Sequence, residues 1–118
     1  MPYQIFNGRT GKFLAKRADR TKSLWSRAKG LLGRPHLNQG EGLIMARCKG
    51  VDTCFMKFPL DLVFVDRRGV VVKVQKNLRP WKISGYNFKA RMVLELPVGM
   101  IDETGTMIGD PLSIEETE

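Results

Sequence analysis

Four acids stand where they could do chemistry. Asp61 interrupts an apolar run, CFMKFPLDLVFVD (54–66), and Glu95 interrupts another, VLELPVG (93–99). Asp110 lies between Gly109 and Pro111, and Asp52 lies in a polar turn at 49–53. An ionised carboxylate in a strand bordered by Phe, Leu and Val is costly unless something pairs with it. Asp61 is therefore either a structural acid held by hydrogen bonds or part of a site. Two such carboxylates in one cleft would hold a hard cation or act as an acid–base pair, so a carboxylate-based hydrolase or a metal-dependent enzyme is one reading. Against it, acids embedded in apolar segments often serve as anchors for loops and turns. Cys48 and Cys54 are spaced C-x5-C, which matches no common zinc pattern, and His36 is the single histidine. The sequence contains no Gly-rich phosphate loop and no nucleophile elbow. No metal and no cofactor is expected, and a binding module is favoured over an enzyme.

Two further constellations suit binding. The loops at 49–59 and 78–87 carry Phe55, Met56, Phe58, Trp81 and Tyr86. Aromatics on loops supply apolar contact to a ligand or a partner protein. Arg17, Arg20, Lys22, Arg27, Lys29 and Arg34 form a basic run that would contact phosphate, which makes nucleic-acid binding the alternative. The charge is unevenly spread: residues 1–50 carry +9, residues 51–96 carry +5 and residues 97–118 carry −6, within a net charge of +8. A basic body with an acidic end attracts polyanions or complements itself.

These side chains must be positioned by one domain, since 118 residues suffice for a single core. The domain is expected over 1–114, followed by a frayed acidic tail at 115–118. Segments 3–7 and 12–17 read as an opening hairpin, with Tyr3 and Ile5 on one face. Leu24, Trp25, Ala28, Leu31 and Leu32 make one apolar stripe, predicting an amphipathic helix over 20–33 that stops at Gly33 and Pro35. Residues 42–48 read as a strand. Residues 60–66 read as a central strand with both faces covered, turned by Asp66-Arg67-Arg68-Gly69 into a partner at 70–75. Residues 88–97 form a further strand, 98–103 a short helical turn and 112–114 a last short strand. The fold expected is mainly β (α+β): an antiparallel β-sandwich or partly closed barrel of six or seven short strands, with one helix on its side. No run is long enough to span a bilayer, and the N-terminus has no h-region, so a cytoplasmic location is expected.

The order GLLGRP (30–35), GEGLIM (40–45), CFMKFPLDLVFVD (54–66), VLELPVG (93–99) and Gly109-Asp110 resembles the bacterial and archaeal domain of unknown function 192 family, over residues 14–114. The resemblance implies a compact, mainly-β, stand-alone domain and no particular reaction. Its signature positions fall on Asp61, Glu95, Gly109 and Asp110, with Met56 and Pro59 beside the first. Many relatives read Val-His-Thr where this chain has Val51-Asp52-Thr53, so a role for that histidine does not carry over.

Overall fold

The computed structural model describes residues 2–21, 37–50 and 58–117. Seven strands follow in order: β1 (Tyr3–Asn7), β2 (Lys12–Thr21), β3 (Glu41–Ala46), β4 (Leu60–Val65), β5 (Val71–Leu78), β6 (Met92–Leu96) and β7 (Leu112–Glu116). One short helix, α1 (Met100–Thr104), stands between β6 and β7. All seven strands form one sheet in the order β5-β4-β6-β3-β2-β1-β7. Its two edges meet at one end, where Val70 bridges Pro111 and the Val71 N–H donates to the Asp110 carbonyl at 2.9 Å. The sheet is therefore a curled half-barrel, the partly closed of the two expected architectures.

The pairing is antiparallel except between β2 and β3, which run parallel from Arg17–Glu41 to Thr21–Met45. The expected architecture was antiparallel, and this one pair departs from it. A parallel pair needs a crossover of a dozen or more residues, and residues 22–40 supply that length. The helix expected over 20–33 falls largely there. Arg20 and Thr21 instead end β2, and residues 22–33 lie outside the described residues.

Strand alternation divides the core in two. Val63 and Val65 of β4, Leu94 and Leu96 of β6 and Ile44 of β3 face a cluster that includes Ile5, Leu14 and Ile101, which the curl encloses. Leu60, Leu62 and Phe64 of β4 face the other cluster, with Leu43, Met45 and Val93. β4 is thus buried along its whole length, as its unbroken apolar run predicts for a strand covered on both faces. At the chain end, β7 continues to Glu116, and the Thr117 N–H donates to the Pro2 carbonyl at 2.8 Å. Residues 115–117 are thus paired to the N-terminal strand and not left as a frayed tail.

Candidate functional site

The buried acids go to separate duties. Asp61 accepts from the Asn77 N–H at 2.9 Å through one oxygen, and from the Gly99 and Ile101 N–H groups at 3.1 and 3.0 Å through the other. The first N–H groups of a helix have no partner within it. Gly99, the N-cap of α1, offers no side chain to cap it, so Asp61 does so from the sheet. Glu95 is fully buried and lies opposite Leu62, on the face away from Asp61.

Asp110 is buried beyond the C-terminal end of α1. It accepts from Arg9 through both oxygens, from Asn7 Nδ2 at 2.9 Å and from the Met107 N–H at 2.9 Å. The Arg9 hydrogen bond is the main cause that holds its pKa down at about 2, against the opposing effect of burial; Asn7 and the Met107 N–H help. Among the described residues, no three of His, Cys, Asp and Glu come together as a metal site would need. Asp52 lies outside the described residues.

Two open surfaces of the described residues lie near the end of the half-barrel where β3 finishes and β6 begins. The register pairs Ala46 with Met92, so the next positions, Arg47 and Arg91, flank the end of the same ladder. The Cys48 N–H donates to the Arg91 carbonyl at 3.1 Å, continuing the pairing past them. Arg20 comes from β2, on the same face as Ile44. These three arginines and Lys49 line a concavity of about 470 Å³, together with Ala46, Ala90 and Met92, and among the described residues no acid lines it. Like charges on neighbouring strands repel, and among the described residues none of the three arginines has a carboxylate partner. Arg47 also sits at φ 55, a left-handed conformation that costs a non-glycine residue stability and is often kept at functional positions.

Lys49 ties this concavity to the neighbouring loop. Its Nζ donates to the Phe88 and Ala90 carbonyls at 2.7 and 3.1 Å, and its own carbonyl accepts from the Asn87 N–H at 3.0 Å. Residues 86–89 line a second groove, about 550 Å³, together with Val70, Val71, Val72 and Ile108 among others. The Tyr86 and Phe88 rings are parallel within 7°, with centroids 6.2 Å apart, and are 74% and 86% exposed.

Of the expected aromatic contacts, Trp81 and Tyr86 stand on the surface, while Phe58 is buried in the second cluster. Phe55 and Met56 lie outside the described residues, as do Lys22, Arg27, Lys29 and Arg34 of the basic run. Arg17 and Arg20 are three residues apart on a strand and so face opposite sides of the sheet. Arg47, Lys49, Arg91 and Phe88 were not among the site residues expected from sequence. The sequence signal carried by Arg47, Lys49 and Arg91 is cations placed just outside two apolar strand segments.

No helix among the described residues is long and apolar enough to cross a membrane. The chain is 28% identical over 118 residues to a UPF0127 protein of Thermococcus sibiricus, an alignment that takes in 97% of this chain and 76% of that protein. The crystal structure of a protein of unknown function from Novosphingobium aromaticivorans matches with a TM-score of 0.80 at 24% identity, over 96% of this chain and 84% of the other. A crystal structure from Sinorhizobium meliloti matches with a TM-score of 0.78 at 20% identity, over 94% and 90%. These two likenesses establish a shared fold. The match to a family model described as "Uncharacterized ACR" runs from residue 6 to 114, nearly the whole chain, and this protein belongs to that family, the domain of unknown function 192 family.

Proposed function

We propose that this domain is a non-enzymatic binding module whose ligand is anionic and sits against Arg20, Arg47, Lys49 and Arg91. The observation that carries this reading is a cluster of arginines that, among the described residues, has no carboxylate partner and shares its concavity with no acid. Folding gains nothing from placing like charges side by side, whereas a bound anion would turn that repulsion into charge-assisted hydrogen bonds. In the sequence, residues 22–36 carry Lys22, Arg27, Lys29 and Arg34 and no Asp or Glu, and they lie outside the described residues. The carboxylate-enzyme alternative has less support, because Asp61 and Asp110 spend their oxygens on backbone and side-chain donors and Glu95 faces away from Asp61.

The test is calorimetric titration of the full chain with inorganic polyphosphate, at low and moderate salt. Saturable binding that weakens with salt, and weakens further in Arg47→Ala and Arg91→Ala, supports the reading. Absent binding, or binding indifferent to both substitutions, removes it.

A further inference from the structure

Resting on the anion-binding reading, we infer that the ligand is single-stranded nucleic acid, with its phosphates at the arginine concavity and its bases on the Tyr86–Phe88 rings. Two independent surfaces meet along one short segment. Of residues 86–92, the first four line the apolar groove and the last three line the basic concavity. From Phe88 to Arg91 the chain can span at most about 11 Å, so a flexible polymer touching one surface is within reach of the other.

The aromatic side has the form that stacking requires. Tyr86 and Phe88 are parallel to each other and remain largely in solvent, while Val70, Val71 and Ile108 form an apolar bed beside them. Aromatic rings of this size cost stability in water unless something covers them. The adjacent positive charge selects an anionic cover over a neutral one. Non-specific single-strand binders combine a basic groove that tracks the backbone with aromatic rings on which bases stack. A duplex hides its base faces inside the stack, and a simple polyanion has no ring to offer. Lys49 serves both sides here, since its side chain fixes the Phe88 and Ala90 carbonyls and so sets the aromatic rings relative to the arginines.

The experiment is fluorescence anisotropy on the full chain with three labelled probes of equal length: an oligo-dT of about 12 nucleotides, an abasic oligomer, and a duplex. The expected result is that oligo-dT binds at least about fivefold tighter than the abasic oligomer and tighter than the duplex, each stacked base contributing at this level or more. Tyr86→Ala and Phe88→Ala should erase that preference while leaving abasic binding and the circular dichroism unchanged. Equal affinity for oligo-dT and the abasic oligomer overturns the inference, as does a duplex bound equally well or a uniform loss across probes in the two variants. Polyphosphate binding without oligonucleotide binding overturns this inference and leaves the anion reading standing. Failure of both overturns both.

Discussion

Asp61 and Glu95 occupy neighbouring strands one register position apart, yet their carboxylates project from opposite faces of the sheet, because Asp61 pairs with Leu96 and Glu95 with Leu62. Asp61 is consumed by three backbone N–H groups. One of them, Asn77, sits at φ 53 where the β4–β5 register shifts between Leu60 and Leu62. This carboxylate therefore fixes both a bulge and the first turn of α1. Asp61→Ala leaves three donors buried or half-buried without an acceptor and should cost about 3 kcal/mol or more. Asp61→Asn keeps one accepting oxygen but turns an amide N–H₂ toward N–H donors, and should cost less than the alanine. Chemical denaturation of the two variants checks the order.

Asp110 gives the fold an acid-sensitive joint. Its pKa in the folded protein is about 2, below its ordinary value of 3.8, chiefly because Arg9 hydrogen-bonds to it. A depressed carboxylate pKa means that the stabilisation is fully present above the ordinary value and is lost as pH falls through the folded one. Stability should therefore drop between about pH 4 and pH 2, and Asp110→Asn should flatten that part of the profile. Arg9→Met should move the Asp110 pKa back up toward 3.8, readable by carboxyl NMR titration. An unchanged slope in the asparagine variant would assign the acid sensitivity elsewhere.

The fold was legible where its signals are local. Residues 3–7 alternate and form β1 over the expected residues; the run at 60–66, the Asp66-to-Gly69 turn and the valines after it form the β4–β5 hairpin; the turn expected at 98–103 is α1. The Asp66 side chain accepts from the Arg68 and Val70 N–H groups, as its turn position predicts. The longer reach of β2 was not legible. Its second half, Lys16 to Thr21, lacks β-branched residues before its last position and is held by parallel pairing to β3, far along the chain. The strand expected over 88–97 begins only at Met92, because Phe88 and Lys89 turn over the end of the sheet. Of the basic concavity only Arg20 was expected as an anion contact, and its convergence with Arg47 and Arg91 could not be read. Arg20, Arg47 and Arg91 are brought together by the β2–β3 and β3–β6 registers, and register is a property of pairing that no single segment displays.

Gly50 links the loop bearing Arg47 and Lys49 to the loop that leads into the aromatic segment. A Cβ at this position would lie 2.7 Å from the Gly85 carbonyl oxygen, a backbone atom that cannot swing aside. Gly50→Ala should therefore part the two loops, lower stability by about 1–3 kcal/mol and weaken ligand binding together with it. Thermal melting and the anisotropy titration measure the two effects on one sample. A variant that melts like the parent would mean that the loops adjust freely and do not hold the two surfaces in place.

Arg47 separates a structural role from a binding role, because the two predict opposite signs. At φ 55 its backbone is strained for any side chain, and glycine removes that strain. Glycine also costs more chain entropy on folding, so Arg47→Gly should leave stability unchanged or raise it by up to about 1 kcal/mol. Removing a cation from beside Arg91 relieves repulsion in the same direction. Binding of the anion should instead fall, and its salt dependence should flatten by about 0.7 in the log–log slope if Arg47 contacts one phosphate of a single strand. A variant that gains stability while losing affinity and salt sensitivity identifies Arg47 as a residue kept for its ligand. If stability and binding fell together, Arg47 would be holding the loop, and the concavity would lose its claim to be a site.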